Sequence, residues 1–430
     1  MTHWPQSHQT RRQWLQTTGG AAAAALLPLA GPQSQLRAAG RKKLPVAAVV
    51  TIDFRNSHTD VLVGKILEGW NHDGGAGPDL ELVSMYVDQV GASDLSRQRA
   101  QRHGFRLAKT IDEAITLGTN QVQVAGVLSI GEHGDYPSTP DTGQKMYPRR
   151  KFFEAIVATF DRCGQVVPLF NDKHLAWRWD DAKFMYDAAR ERNIPFLAGS
   201  SVPLGWRFVP WELERGAELE SALTIGYSGL EIYGFHALEA HQAMIERRRG
   251  GETGISAVQV LRGQQILKAG AEGLWPVELF HTALATLPGS PKADPSWVNQ
   301  EEAAVFLLEH NDGLKSAVAM IGSLSPEFAF AGRIKGQPDP VATWIMLQNE
   351  PPFGHFAQLL RAIEETIHTR RPVYPVERTL LTTGTLDRVM HSVAEGGKRF
   401  ETPELAIRYE ATDWPYANHP QTQLPLADPR

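Results

Sequence analysis

Cysteine is almost absent from this sequence, and its scarcity excludes two kinds of protein. The 430 residues contain one cysteine, Cys163. The chain can therefore form no intramolecular disulfide and no cysteine metal cluster. Cys163 falls in a segment with helical spacing, where a lone thiol packs as a small apolar residue.

An excess of positive charge is lacking as well. The formal net charge is -5 at pH 7, which gives no electrostatic basis for binding nucleic acid or an anionic membrane. We find no nucleic-acid motif, no internal repeat and, beyond the N-terminal segment, no low-complexity tract. The length of 430 residues is typical of two or three globular domains.

The sequence also lacks an apolar run that is long enough for a membrane span. The alanine-rich run at residues 19–30 is too short and too weakly apolar. It follows the segment TRRQWL at residues 10–15, which resembles the twin-arginine export motif. We therefore predict that residues 1–40 are a signal peptide, cleaved near residues 38–40, and that the mature protein is periplasmic or otherwise extracytoplasmic. A disordered basic tail is the alternative.

Residues 41–201 alternate between buried-strand and helical patterns. Continuous apolar runs predict strands at residues 44–52, 80–87, 122–130, 166–170 and 196–199. Helical spacing lies between them at residues 58–70, 95–103, 111–117, 151–163 and 179–192. This alternation predicts an α/β fold with a Rossmann-like, doubly wound parallel sheet in a nucleotide-binding domain.

Four polar side chains follow the predicted strand at residues 166–170. They are Asn171, Asp172, Lys173 and His174. In an open parallel α/β sheet, ligands bind outside the carboxyl ends of the strands. The sequence therefore predicts a functional site at this edge of the sheet.

The same stretch resembles the Glu-Lys-Pro segment of the glucose–fructose oxidoreductase / inositol dehydrogenase (Gfo/Idh/MocA) family. The sequence DKHLA at residues 172–176 stands where the family has Glu-Lys-Pro-Leu-Ala. The resemblance implies that Lys173 is the catalytic lysine that contacts the nicotinamide, with Asp172 and His174 as further catalytic residues that orient it. It also implies NAD or NADP as cofactor and a sugar or polyol derivative as substrate.

A second segment, at residues 233–239, resembles the family's Asp-x-Gly-x-His-x-x-Asp helix. His236 matches the histidine that assists proton transfer, and Glu239 replaces the later aspartate. Ile232 stands where the family has an acid. The resemblance implies that His236 is catalytic and that Tyr233 and Glu239 contact substrate. A buried histidine without a chemical role is the alternative.

The first βα turn lacks the G-x-G-x-x-G motif that lets a backbone approach a diphosphate. Candidates for cofactor contact in this turn are Thr51, Asp53, Phe54, Arg55, Asn56 and Ser57. Asp53 places negative charge where the diphosphate would lie, unless Arg55 compensates it. Asn56 can adopt positive φ, and Ser57 can cap the next helix. Asp88 ends the second strand, where a Rossmann fold holds the adenosine ribose. The cofactor either binds unusually or has been lost.

A long polar insertion follows the strand at residues 122–130. Loops of this length inside a compact α/β unit are functional or disordered, and the aromatic and charged residues argue against disorder. We predict that Glu132 and His133 contact cofactor. We predict that the substrate is bound by Asp135, Tyr136 and, as a grip for a carboxylate or phosphate at a helix N-terminus, Arg149 and Arg150. The alternative is that the two arginines bind no ligand and form a solvent-exposed basic surface.

Residues 202–375 are predicted to form an α+β domain for substrate binding and oligomerisation, built on an open, mostly antiparallel sheet. Residues 376–430 are predicted to be a C-terminal helix and tail that pack back on both domains. Arg207 lies in the aromatic, proline-rich crossing between the domains and is a further candidate for substrate contact. The resemblance implies a homo-oligomer formed through the exposed face of the second sheet.

Three functions stay open from the sequence. The first is an exported NAD(P)-dependent oxidoreductase acting on a sugar or polyol. The second is redox-neutral acid–base chemistry on a sugar, such as elimination or hydrolysis, by the polar groups at the strand ends. The third is a carbohydrate-binding protein without activity. The absence of tight H-x-H or H-E-x-x-H spacing disfavours a metal site.

Overall fold

The computed structural model describes residues 41–418. The predicted signal peptide and the last part of the predicted tail lie outside these residues. Within the described part of the chain, no helix is long and apolar enough to cross a membrane.

The first half of the described chain is a parallel six-stranded sheet with the order β3-β2-β1-β4-β5-β6. Its elements are β1 Leu44–Val50, α1 His58–Glu68, β2 Leu80–Val87, α2 Ser96–His103, β3 Arg106–Ala108, α3 Ile111–Thr116, β4 Gly126–Ile130, α4 Arg149–Cys163, β5 Leu169–Asp172, α5 Trp179–Glu191 and β6 Phe196–Gly199. The predicted doubly wound sheet is confirmed. The strand order reverses between β1 and β4, which places a ligand crevice at their carboxyl ends.

The apolar sequence of β1 reflects its position in the middle of this sheet. Residues 46–50 are fully buried, because helices cover both faces of a parallel sheet and leave no face for polar side chains. Helix α1 begins after Ser57, whose hydroxyl accepts a hydrogen bond from the Asp60 N–H and satisfies one of the free donors of the first turn.

The second half is an eight-stranded sheet with the order β14-β9-β10-β11-β8-β12-β13-β7. Its pairs are antiparallel except β11 with β8. Its elements are β7 Trp206–Phe208, β8 Leu219–Gly226, α6 Ile232–Ile245, β9 Ile255–Leu261, α7 Gln264–Ala271, α8 Val277–Thr286, β10 Ala303–His310, β11 Lys315–Ile321, β12 Phe328–Ile334, β13 Val341–Met346, α9 Gly354–Thr369, α10 Glu377–Ala394 and β14 Phe400–Glu401. The predicted mostly antiparallel second sheet is confirmed.

Helices α7 and α8 cover one face of the second sheet. Trp275 and Phe280 pack in one core cluster with sheet residues such as Ile225 and Ala319. The ring of Phe280 stacks on Trp297 with centroids 5.3 Å apart. A subunit partner on this face would have to displace both helices, so the predicted homo-oligomer stays a prediction and needs another surface.

The last two long helices return to the first sheet. Helix α9 packs against α1, and its Leu359 and Ile363 share a core cluster with Val46 and Leu62. Helix α10 packs against α5, α6, β6 and β9. Elements from both halves of the chain therefore surround the carboxyl ends of β4, β5 and β6.

Candidate functional site

Three residues that are not glycine adopt positive φ at the carboxyl ends of the first sheet. They are Asn56 after β1, His133 after β4 and Lys173 after β5, with φ of 66°, 68° and 64°. This left-handed conformation costs about 1–3 kcal/mol at a residue with a side chain, and it concentrates at functional sites. At Lys173 the backbone N–H donates to the Gly199 carbonyl over 3.1 Å, which holds the strained turn against β6.

The side chain of Lys173 belongs to a buried cluster of charged groups, which we call the lysine cluster: Glu132, Arg149, Lys173 and His174. The Lys173 Nζ lies 3.1 Å from Glu132 Oε1, and Arg149 Nη2 lies 2.5 Å from Glu132 Oε2. Arg149 Nη1 lies 2.8 Å from His174 Nε2. All four residues are at most 3% exposed. The carboxylate of Glu132 therefore bridges the two cations.

Glu132 is a fixed anion in this environment. Burial by itself raises the pKa of its carboxyl, but Lys173 and Arg149 outweigh burial and hold the pKa well below its usual range. Burial and the neighbouring Arg149 lower the pKa of His174 well below its ordinary value, so this imidazole is neutral. Glu132 therefore positions Lys173 and cannot itself accept a proton near neutral pH.

A second pair, of a half-buried histidine and a buried carboxylate, flanks the lysine cluster. His58, the first residue of α1, places Nδ1 at 2.6 Å from Asp172 Oδ2. Its ring meets the rings of His133 and Phe356 edge-on, with centroids 5.3 and 4.9 Å apart. Asp172, predicted to orient Lys173, contacts His58 instead. His58 was not predicted from the sequence. The signal for it is its place at the start of the helix that follows the first predicted strand.

His236 approaches the same strand ends from α6. Its Nδ1 lies 2.5 Å from the hydroxyl of Ser200, the residue after β6. Burial, followed by the charge of Lys173, lowers the pKa of His236 well below its ordinary value. The imidazole is therefore neutral.

Two further residues of α6 differ in how they relate to His236. Glu239 accepts the Ser200 N–H over 3.2 Å and the Thr382 hydroxyl over 2.6 Å, so it holds the turn under His236. Tyr233 lies beside His236 and stacks at an angle on Tyr227, with centroids 5.8 and 4.8 Å apart. These rings form an aromatic wall next to the imidazole.

The predicted insertion crosses the strand ends as an ordered segment, which we call the strap: residues 131–147. At its start the Thr51 hydroxyl donates to the Glu132 carbonyl over 2.6 Å. At its end the Lys145 N–H donates to Glu231 Oε1 over 2.9 Å. Arg149 follows, with its guanidinium 4.9 Å from the centroid of the Tyr147 ring. The strap therefore runs from the first sheet to α6.

The middle of the strap lies on the end of β2. Tyr136, predicted to contact substrate, donates its hydroxyl to Asp88 Oδ2 over 2.8 Å. The Asp135 N–H donates to Gln89 Oε1 over 2.8 Å, and Gln89 Nε2 donates back to the Asp135 carbonyl over 2.9 Å. Tyr86 donates to the other oxygen of Asp88 over 2.9 Å.

The turn after β1 is closed by a carboxylate–arginine group. Asp53 is fully buried and accepts from Arg99 over 2.7 Å, and Asp60 pairs with the same guanidinium. The cation that faces Asp53 is therefore Arg99 of α2, whereas Arg55 is exposed. Burial raises the pKa of Asp53 to about 6, against the lowering effect of Arg99. Phe54 packs edge-on against His133, with centroids 5.4 Å apart.

This raised pKa predicts a measurable pH dependence of stability. Because the folded pKa lies above the value of about 3.9 expected for an unfolded chain, the folded state holds a proton more tightly. The free energy of unfolding should fall by about 2 kcal/mol as pH rises from 4 to 6. Denaturant unfolding of an Asp53→Asn variant should lack this fall, whereas the exposed-pair control Asp112→Asn should keep it. Parallel pH profiles for all three proteins would contradict the assignment.

Two predicted substrate contacts lie apart from the lysine cluster. Arg150 pairs with Asp181 and Glu154 on the outer side of α4 and α5. Arg207 lies 3.9 Å over the ring of Tyr416, and burial lowers its pKa to about 10. Within residues 41–418, no group of three or more histidine, cysteine, aspartate or glutamate side chains is arranged to hold a metal ion.

Comparisons with known proteins agree on the fold. No model of a known protein family matches the sequence, and no curated protein resembles it in sequence. Among solved structures, GenD2 from gentamicin A biosynthesis in complex with NAD is 15% identical with a TM-score of 0.54, covering 88% of this chain and 99% of its own. Apo scyllo-inositol dehydrogenase from Lactobacillus casei is 9% identical with a TM-score of 0.51, covering 84% and 99%. A myo-inositol dehydrogenase from Corynebacterium glutamicum is 11% identical with a TM-score of 0.50, covering 84% and 98%.

The chain therefore has the fold of the Gfo/Idh/MocA-type inositol and sugar dehydrogenases, and the resemblance read from residues 172–176 is confirmed at the level of the fold. Identities this low establish the fold alone, since one fold hosts many functions.

The residues at the carboxyl ends of β1 and β2, where a Rossmann fold holds its dinucleotide, do not fit a dinucleotide bound in the usual way. Both oxygens of Asp88 already accept tyrosine hydroxyls. In the turn after β1, Asp53 and Asp60 place two carboxylates against one guanidinium, that of Arg99. The group therefore carries net negative charge, which opposes a diphosphate bound to this turn. The lysine cluster, in contrast, keeps the ionisable groups that acid–base chemistry needs.

Proposed function

We propose that this chain is an enzyme that transfers a proton on a sugar with a carbonyl group, or on a keto derivative of a polyol, without net oxidation. The observation that carries the proposal is that two groups meet at the neighbouring ends of β5 and β6. They are the buried Lys173 ammonium, held by Glu132 at 3.1 Å, and the imidazole of His236, which is bonded to the Ser200 hydroxyl after β6. A fixed cation beside a neutral base can remove a proton and stabilise the negative charge that develops.

Lys173 supplies the positive charge. Because Glu132 and Lys173 are at most 3% exposed, their ion pair is poorly screened by water. The remaining protons of the ammonium can donate to a substrate oxygen. When negative charge develops on that oxygen, a donor already in place stabilises it without reorganisation.

His236 supplies the base. In the tautomer in which Nδ1 donates to the Ser200 hydroxyl, Nε2 carries the free lone pair. This nitrogen removes a proton from a carbon next to a carbonyl, and the C–H electron pair moves to the carbonyl oxygen beside Lys173. The His236 imidazolium then returns its proton to the enolate carbon, or gives it to an oxygen substituent on the next carbon that the enolate expels. Both outcomes leave the number of electrons unchanged.

A sugar or polyol suits the walls of this site. Tyr227 and Tyr233 flank His236, and aromatic faces bind apolar C–H surfaces while their hydroxyls stay available for hydrogen bonds. The solved structures with this fold include inositol dehydrogenases. That likeness supports a polyhydroxylated substrate for this chain.

An NAD(P)-dependent oxidoreductase is the second candidate. The fold favours it, since GenD2 was solved in complex with NAD, and Lys173 stands where the family has its nicotinamide-contacting lysine. If a dinucleotide were bound, it would supply hydride transfer, with Lys173 beside the nicotinamide. The poor fit at Asp53 and Asp88 is the reason why we rank this function second.

Solvent isotope exchange tests the first proposal. Full-length protein, without added nucleotide, is incubated in deuterated water with a panel of aldoses, inositols and their keto derivatives. NMR and mass spectrometry follow the exchange of hydrogen for deuterium at each carbon. We expect deuterium to enter one carbon next to a carbonyl. Exchange that begins only when NAD(P) is added would favour the second candidate. Saturable sugar binding without exchange would refute proton transfer and favour a binding protein.

We further propose export by the twin-arginine route to the periplasm or another extracytoplasmic space. The segment TRRQWL at residues 10–15 supports this proposal. Cell fractionation of an Arg11→Lys, Arg12→Lys variant checks it, because unchanged export would refute the signal.

A further inference from the structure

We infer that the strap permanently occupies the part of the crevice at the carboxyl ends of β1 and β2, where a Rossmann fold holds its dinucleotide. The chain therefore binds a single small ligand at the lysine cluster and no exchangeable dinucleotide. The inference rests on the contacts of the strap with β2 and on the turn after β1. It does not depend on the proton transfer proposed for the lysine cluster, but it excludes the NAD(P)-dependent second candidate.

The first contact lies at the end of β2. The carboxylate of an acid in this position of a Rossmann fold hydrogen-bonds the adenosine ribose. Here Asp88 Oδ2 accepts the Tyr136 hydroxyl over 2.8 Å, and Asp88 Oδ1 accepts the Tyr86 hydroxyl over 2.9 Å. The ring of Tyr136 packs edge-on against Tyr147, with centroids 5.6 Å apart. The strap therefore supplies a hydroxyl where a ribose would supply one.

The second contact fixes the strap backbone beside that carboxylate. Gln89 exchanges two hydrogen bonds with the backbone of Asp135, at 2.8 and 2.9 Å. Gly134 between them has φ of 102°, and a Cβ there would lie 2.7 Å from the Tyr136 ring and 3.0 Å from Gln89 Oε1. The turn accepts only glycine, because it must seat both Tyr136 and Gln89 closely.

The position that a diphosphate would take, at the N-terminus of α1, is blocked by contacts that do not involve the strap. The N–H groups at a helix N-terminus bind phosphate when they are free. At α1 the Asp60 N–H donates to Ser57 Oγ over 3.1 Å, and the Asn56 N–H donates to Asp60 Oδ2 over 2.6 Å. The Asp53 and Asp60 carboxylates share Arg99. Two of the amides that would face a diphosphate are therefore satisfied, and the added charge there is negative.

These two closures indicate the chemical class of the ligand. The lysine cluster keeps one net positive charge, since the two cations Arg149 and Lys173 share the single carboxylate of Glu132. A small polyhydroxylated molecule can accept a hydrogen bond from the Lys173 ammonium while the ion pairs of Glu132 stay in place, whereas a dinucleotide must displace the strap. The ligand is therefore a small polyhydroxylated molecule and not a dinucleotide.

A nucleotide-binding experiment tests this inference. Full-length protein purified without added nucleotide is denatured, and released nicotinamide nucleotides are measured by mass spectrometry. The native protein is then titrated with NADH and NADPH by calorimetry up to millimolar concentration, with GenD2, which was solved with NAD, as the positive control. We expect no released nucleotide and no binding. Stoichiometric nucleotide in either measurement overturns the inference.

A matched variant tests the strap itself. The double variant Gln89→Ala, Tyr136→Phe removes the side-chain contacts that seat the strap, and Tyr186→Phe removes a tyrosine hydroxyl contact elsewhere, with Glu377. Hydrogen exchange of the amides at residues 131–147 should accelerate at least tenfold in the double variant alone. Unchanged exchange would show that these contacts do not hold the strap. Solvent deuterium exchange into a sugar reports on the proposed function separately, so each can fail alone.

Discussion

Replacement of Lys173 by methionine is expected to reduce kcat/KM for the substrate by about 10²–10³-fold, the range that a single donor to a developing oxyanion contributes. Methionine keeps most of the length of the side chain but removes the ammonium that faces the reacting oxygen. Glu132 keeps Arg149 as its partner at 2.5 Å, so the fold should survive. The measurement is the rate of deuterium incorporation in the assay described above.

The matched control for this prediction is Lys183→Met. Lys183 pairs with Asp187 on the outer surface of α5 and lies in no contact with the lysine cluster, so its loss should leave the rate within a factor of two or so. Circular dichroism and thermal unfolding should show both variants folded. Full turnover by a folded Lys173→Met protein would refute the role of Lys173.

Replacement of Glu132 by glutamine is expected to have the largest effect on stability. Glutamine cannot neutralise Lys173 and Arg149, and loss of one partner from a buried ion pair costs about 3–5 kcal/mol because it leaves charge uncompensated. Urea unfolding, followed by tryptophan fluorescence, measures the loss. Glu154→Gln is the control, because the Glu154–Arg150 pair is exposed and such pairs contribute about 0–1 kcal/mol.

The pH dependence of this loss has a defined sign. The folded pKa of Glu132 is depressed, so its contribution to stability is fully present above the unfolded pKa of about 4.3 and is lost as pH falls through the folded pKa. The difference between the wild type and Glu132→Gln should therefore be largest near neutral pH and shrink on acidification. A difference that grows in acid would contradict the depressed pKa.

The sequence predicted the fold well where periodicity and burial are strong. Leu80–Val87 and Phe196–Gly199 match their predicted ranges, because each is a mainly apolar run with clear ends. Edge strands β3, β7 and β14 were missed because they contain two or three residues each. Helices α7 and α8 were missed because Gly and Pro interrupt the segment that contains them, and only packing on the sheet selects the helical form.

The site was predicted in part. Polar residues directly after a strand, such as Lys173 and Glu132, were identified because parallel strands end at one edge. Contacts that depend on distant chain segments were not. The pairing of Asp53 with Arg99, 46 residues away in sequence, and of Asp88 with Tyr136 follows from how α2 and the strap pack, which no local pattern encodes.

Helices α7 and α8 cover the second sheet, and this cover determines how the stability of the protein responds to dilution. A subunit interface contributes stability only through mass action and loses it as the concentration falls. Here the same apolar face is buried within one chain, with Trp275 and Phe280 against sheet residues. The effective concentration of this cover is fixed by the covalent chain, so its contribution to stability is the same at any protein concentration.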